Sequence, residues 1–371
     1  MKLPANPTLV AFFLVVGCSF AQTAPAPPPA TAAAAPVWSA GEIEFSGLID
    51  GYYSKNFNNP ASRNNVLRNF DVRSNQMSLN MAKLSMSRAA DPVGFQLDLG
   101  FGRAWQIFHA TDPSGDIMQN IPQAFVSFRP KDSGDVQIDF GKFYTSAGAE
   151  LTETHLAWNY SRGFLYANGP YYHFGVRVTK PLTKSFTAGI QLVNGWNNVE
   201  DNNSGKTVGF TTAWTGSKIS WFNTYYTGPE KTSLNAGWRN FYDTVINLTP
   251  TDRTNIYLNF DYGSDKRQAG GTDTWIAVGG AARFQLTKAI SITPRVEYYY
   301  DRDGFITGQQ QKLKSFTFTG EYKWMDGMIS RLEYRRDWSD RPYFDRGNEL
   351  ANWKNQDTIL IGFVAFFGPK R

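Results

Sequence analysis

From Gly41 to the end of the chain, apolar and polar residues alternate with period two. That spacing turns one face of an extended chain toward an apolar medium and the other toward water. Val93, Phe95, Leu97, Leu99 and Phe101 share a face, with Gln96 and Asp98 opposite. Phe174, Val176 and Val178 alternate with His173, Arg177 and Thr179; Ile290, Ile292, Val296, Tyr298 and Tyr300 alternate with Ser291, Thr293, Arg295, Glu297 and Asp301. The pattern predicts about sixteen strands, starting near residues 42, 75, 93, 121, 134, 171, 185, 205, 217, 239, 253, 272, 289, 312, 327 and 355. Each is about 10 to 14 residues, longer than a usual soluble strand and matched to the tilted span of a bilayer.

The connections alternate in length. Tight turns fall at 89–92, 131–134, 182–185, 215–217, 249–252, 287–289 and 325–327. Longer polar segments lie between them, near 57–74, 106–120, 144–170, 198–204, 228–238, 265–271, 302–311 and 340–354. An even-stranded up-and-down barrel with both termini on one side produces this alternation, short turns on the periplasmic side and long loops outside. A propeller has no reason for it, and a soluble sandwich has shorter strands. Aromatics also gather at strand ends, as in Tyr225-Tyr226, Tyr298-Tyr299-Tyr300, Trp324 and Phe366-Phe367, where interfacial girdles belong. The expected fold is all-β: a transmembrane antiparallel β-barrel of about 16 strands, with the long third outer loop folded into the lumen.

Composition narrows the class further. A mean hydropathy of -0.40 excludes a helical protein that crosses a membrane many times. One Cys in 371 residues excludes a disulfide scaffold and Cys-based metal sites. The net charge of +5, from 37 basic and 32 acidic residues spread along the chain, gives no basis for nucleic acid as a partner.

The first forty residues follow different rules. Lys2 precedes an apolar run, Leu9 to Val16, and Ser19-Phe20-Ala21 places small residues where signal peptidase reads them. Residues 1–21 are therefore expected to be a signal peptide, 22–40 a Pro/Ala-rich flexible leader, and 41–371 the barrel. A second processing route stays open, because Val15-Val16-Gly17-Cys18 resembles a lipoprotein box that would leave Cys18 lipidated.

If the apolar face meets lipid, the other face lines the lumen, and it is ionic. The pore-lining candidates are Arg177, Arg283, Arg295, Arg331, Arg335, Glu297, Glu321 and Glu333, joined by Lys323, Asp98 and Asp139. Charges at membrane depth need water or each other. Sixteen strands leave room for an aqueous channel, so a wet interior is expected; charges paired off as struts are the alternative. The segment Tyr144 to Pro170 is the longest connection and carries Leu151, Leu156, Trp158, Tyr160, Phe164, Leu165 and Tyr166, which need burial. Folded inward, it would present Glu150, Glu153, His155, Asn159 and Arg162 as a pore constriction. Packed outward, on neighbouring subunits or surface polysaccharide, it would not.

Several segments resemble the OmpL-like β-barrel porins of bacterial outer membranes. They are Gly141-Lys142-Phe143-Tyr144 with Gly148-Ala149-Glu150, Trp158-Asn159-Tyr160-Ser161-Arg162, Pro170 to Arg177, Val193-Asn194-Gly195-Trp196-Asn197 and Glu200-Asp201-Asn202-Asn203. The likeness covers about 75–230 in order, and the last third matches mainly in pattern. It implies an outer-membrane porin of a Gram-negative cell, exported through the periplasm, with no catalytic residues and no cofactor. The partners it implies are outer-membrane lipids and lipopolysaccharide, the barrel-assembly machinery, periplasmic chaperones and, by analogy with other sixteen-stranded barrels, two further copies of the chain in a homotrimer. One departure concerns the terminal assembly signal: Gly368-Pro369-Lys370-Arg371 follow the final aromatic, Phe367.

Other chemistry finds little support. His109, His155 and His173 have no short metal-ligand spacing, no nucleophile motif or phosphate-binding glycine loop is present, and Glu200, Asp201 and Asn203 read as a solvated turn before a calcium loop. No metal site and no enzyme is expected. Two functional readings remain. One is a water-filled channel for passive diffusion of small hydrophilic solutes or ions. The other is a non-channel adhesin or glycan-binding β-protein that uses Trp196, Trp238, Trp338 and Trp353 near the outer loops.

Overall fold

The computed structural model describes residues 38–113 and 116–369. The expected signal peptide and the leader up to residue 37 lie outside the described residues. In chain order the strands are β1 (Ser39–Ala40), β2 (Ile43–Asn56), β3 (Gln76–Arg88), β4 (Val93–Phe101), β5 (Ala124–Phe128), β6 (Gln137–Tyr144), β7 (Tyr172–Pro181), β8 (Phe186–Val193), β9 (Thr207–Thr215) and β10 (Ile219–Gly228). They continue as β11 (Arg239–Thr251), β12 (Thr254–Lys266), β13 (Thr272–Gln285), β14 (Ile290–Asp301), β15 (Gln311–Met325), β16 (Met328–Ser339), β17 (Phe344–Arg346), β18 (Glu349–Trp353) and β19 (Asn355–Phe367).

Strands β2 to β16 and β19 pair antiparallel with their sequence neighbours, and β19 closes on β2 from Thr358↔Asn56 to Phe367↔Gly47. The result is a closed sixteen-stranded barrel without free edges, the form in which a sheet satisfies its backbone inside a bilayer. β17 and β18 form a separate hairpin within the last long connection. On the short-turn side, β1 folds back on the start of β2, and Trp38 packs against Phe367 with ring centroids 4.7 Å apart.

The period-two pattern maps directly onto the two faces. Outward residues such as Ile190, Leu192, Phe210, Val278, Val296, Leu332 and Phe363 are exposed, whereas the inward positions between them are buried. Long loops L1 (57–75), L2 (102–123), L3 (145–171), L4 (194–206), L5 (229–238), L6 (267–271), L7 (302–310) and L8 (340–354) alternate with seven short turns.

One stretch of wall is short. β4 and β5 span Val93–Phe101 and Ala124–Phe128, while β3 beside them runs from Gln76 to Arg88. The gap above them is filled by L2, whose helix α1 (Arg103–Phe108) buries Ala104, Trp105 and Phe108 against Leu48, Met81, Tyr144 and Tyr172. Gly100 permits this approach, because a Cβ there would lie 2.7 Å from the Trp105 indole nitrogen.

Candidate functional site

L3 leaves the wall after β6, crosses the lumen and returns to β7. Its shape is set internally before it meets the barrel. Arg162 donates to three carbonyls of its own loop: Leu151 O at 2.8 Å, Thr152 O at 2.8 Å and Tyr160 O at 2.6 Å. Glu150 accepts the Gly163 amide at 2.6 Å, so the outgoing and returning limbs are tied together. A side chain at Gly163 would collide with the Glu297 and Glu150 carboxylates. The turn is followed by the short helix α2 (Phe164–Ala167).

The wall then grips the loop largely by its main chain. On one side, Tyr226 and Asp243 accept the amides of Ser146 and Gly148, at 3.3 and 3.0 Å, Asn259 accepts that of Ala149 at 3.1 Å, and Thr224 donates to Ser146 O at 2.9 Å. On the other, Arg331 reaches Thr154 O at 2.6 Å and Ala157 O at 2.5 Å. Glu333 takes the amides of Tyr160 and Ser161 at 2.6 and 3.0 Å. Arg295 donates to Ser161 O at 2.7 Å and Arg335 to Arg162 O at 2.6 Å. Side chains add to the grip: Tyr160 donates to Asp50 at 2.5 Å, Glu150 pairs with Arg295 at 2.5 Å, and Lys83 pairs with both Asp98 and Glu153. Gly362 on β19 leaves room for the Tyr160 ring, which a Cβ would strike.

The loop fills the section of lumen it crosses. Inward side chains around it are buried, among them Asp50, Phe143, His173, Gln191, Thr224, Asp243, Arg295, Thr317 and Arg331, none above 2% exposed. Above L3, an apolar cluster joins Phe164 and Leu165 to Tyr226, Phe241, Trp275 and Leu313 on the wall, with Leu67, Trp196 and Ile306 from L1, L4 and L7 at its margin. Burial shifts the ionisable groups of the loop. It pushes His155 down to about 4, helped by the nearby Lys83, Arg331 and Arg162 against the opposing pull of Glu153. Burial alone would raise Glu153, but the Lys83 ammonium outweighs it and holds the carboxyl below its ordinary range.

Comparison with known proteins gives the setting. A profile of the family described as "Putative beta-barrel porin-2, OmpL-like" matches residues 42–367. The chain belongs to this porin family. It is an outer-membrane porin. Among solved structures, the anion-selective porin of Comamonas acidovorans aligns with a TM-score of 0.60 at 12% identity, covering 88% of this chain and 99% of that one. OmpT of Vibrio cholerae gives 0.59 at 12% identity, covering 90% and 100%. The DcaP channel of Acinetobacter baumannii gives 0.59 at 10%, covering 88% and 97%. At these identities the likeness is one of fold. A search of curated protein sequences returns no match.

Within the porin, each residue singled out from the sequence has a definite place. Arg295, Arg331, Arg335 and Glu333 face inward and end on L3. Glu297 sits beside Arg295 at 3.4 Å and accepts the Leu165 amide at 3.4 Å. Glu321 bridges Arg283 and Arg331, each at 2.7 Å. Arg177 lies farther round the wall, paired with Asp139 at 2.8 Å and over the Phe143 ring. Lys323 is half-exposed near the short-turn rim and pairs with Asp326 at 2.6 Å. Glu150, Glu153, Asn159 and Arg162 all belong to the loop's attachment, Asn159 through Thr319 at 2.7 Å, and His155 stacks on Phe366 at 4.9 Å. Of the outer tryptophans, Trp196 packs on Phe241, Trp338 and Trp353 lie against Arg336 and Arg346, and Trp238 is exposed.

Sequence reasoning missed Asp50, Lys83, Thr224, Asp243 and Asn259. Asp50 and Asp243 stood at inward positions of their strands and were legible. Lys83 was not, because a bulge where Asp50↔Met81 gives way to Gly51↔Leu79 inserts Asn80 and reverses the parity of β3.

Proposed function

We propose that this porin conducts small hydrophilic solutes or ions by passive diffusion, and that L3 is both its constriction and its gate. The carrying observation is one loop bonded across a sixteen-stranded barrel, a strand number that leaves room for an aqueous path, to opposite walls: Thr224 of β10 and Asp50 of β2. Passage then requires L3 to move away from part of the wall. Glu150, Glu153, His155, Asn159 and Arg162 set the loop's position, and Arg295, Arg331, Arg335, Glu297, Glu321 and Glu333 with Arg283 and Arg177 line the opened path.

The proposed setting follows the family. Residues 1–21 direct export and 22–37 form a leader, residues 38–40 of the expected leader being packed or paired on the barrel instead, and the barrel is delivered by periplasmic chaperones to the barrel-assembly machinery, with lipid and lipopolysaccharide around it. Trimers occur among the structures it resembles, OmpT of Vibrio cholerae included, and a homotrimer is the proposed assembly here. Catalysis has no part in this reading. Planar-bilayer recording of the purified full chain tests it: discrete conductance steps are expected, and a protein that inserts without passing current would sink the proposal.

A further inference from the structure

The grip on residues 160–162 has a chemistry of its own. Glu333 takes two successive amides, Tyr160 N and Ser161 N, with its two oxygens. Arg295 and Arg335 take the next two carbonyls, Ser161 O and Arg162 O. These four wall contacts are to backbone atoms, while Arg295 and Arg335 also donate to the Ser161 hydroxyl at 3.3 Å and Arg295 pairs with Glu150. The wall groups come from β14 and β16, which flank β15 and are held in register by Arg295↔Thr317 and Thr317↔Arg335.

We propose that this part of the wall is a peptide-backbone subsite, occupied in the closed porin by L3 itself, and that peptides are the solute class the open channel favours. This rests on the porin reading above. When L3 withdraws, Glu333 is left between Arg331 and Arg335 on the same inward face, still bonded by Thr319, with the two arginines still paired with Glu321 and Asp337. An inorganic anion satisfies the guanidiniums but is repelled by Glu333; a cation meets the reverse problem. A peptide presents amide donors and carbonyl acceptors together, in the arrangement the wall already holds. Charge-assisted hydrogen bonds to such groups are the strong ones. A backbone-bearing solute therefore lowers the barrier to L3 withdrawal, and solutes without that pairing do not.

Liposome swelling tests this with the full chain reconstituted in vesicles. The probes are N-acetyl-trialanine amide, which is uncharged, and a disaccharide of comparable size. The peptide is expected to enter roughly tenfold faster, the worth of about one charge-assisted hydrogen bond. In Glu333→Gln and, separately, Arg335→Gln, each checked for its folded gel migration, the ratio is expected to fall toward one. Equal uptake of both probes by the unaltered protein overturns the peptide subsite and leaves the porin reading standing. Uptake of neither overturns both. A peptide preference unchanged in both variants places selectivity elsewhere and also overturns the subsite.

Discussion

L2 and L3 both turn into the body of the barrel, and they are held there by different balances of apolar and polar contact. L2 closes a notch in the wall with apolar surface: Trp105 and Phe108 are fully buried, and α1 makes no side-chain cap at its start. L3 crosses the lumen largely on hydrogen bonds and ion pairs, most of them to its backbone, with Tyr160, Phe164 and Leu165 packed in apolar clusters beside them. Apolar packing has no substitute partner in water, so L2 is a permanent piece of wall. Polar contacts exchange with water, protons or solute, so L3 is attached by bonds that conditions can undo.

The strongest way to break this comparison is to remove a loop. Deleting residues 150–165 should raise single-channel conductance severalfold, since that segment fills the lumen; unchanged conductance would show that L3 does not obstruct the path. Trp105→Ala should cost about 3–5 kcal/mol of barrel stability by opening a cavity in the wall, read from the temperature at which the folded gel form is lost, with little change in conductance. Arg331→Ala should do the converse. It frees the carbonyls of Thr154 and Ala157, and the open probability should rise about tenfold while the barrel keeps its folded form.

Acid is a milder lever. His155 binds its proton near 4 in the packed loop but near its ordinary 6.5 when released. A released loop therefore takes up more protons in between, and the packed position weakens as pH falls from about 6.5 toward 4. Glu153, also held below its ordinary value, adds to this at the acid end. Conductance should climb on acidification over that window, and a flat profile would mean the loop does not respond to these groups. The smallest effect belongs outside both loops. The exposed pair Arg88–Glu42, at 2.5 Å, should contribute about 0.5 kcal/mol or less, so Glu42→Gln should leave melting and current where they were.

Most of the barrel was legible in the alternation alone. The largest displacements among the strand starts are at β5 and β6, which begin at 124 and 137 where the pattern placed 121 and 134. Ile121-Pro122-Gln123 continues L2, and Pro122 has no amide to give a ladder. Before β6, Asp132, Gly134 and Asp135 adopt positive φ and prolong the turn. Helix α1 went unread because six residues carry too little periodicity to stand out in a connection. That L3 folds inward followed from its apolar residues, yet their composition could not say which atoms would hold it. Arg162 read as a channel-facing charge; it spends its donors inside its own loop, since a buried guanidinium takes whatever carbonyls lie nearest. Partner choice across a closed barrel depends on register around the whole circumference, which no single stretch of sequence carries.

The seam between β2 and β19 joins the two ends of the chain, and Tyr160 spans it from inside, bonded to Asp50 on β2 while its backbone is held by β16. The binding surface of L3 is incomplete until the first strand meets the last. The full grip on L3 therefore exists only once the barrel has closed, and a chain stalled before closure would hold L3 by part of its contacts, with Asp50 on the β2 edge and Glu333 one strand in from the β19 edge.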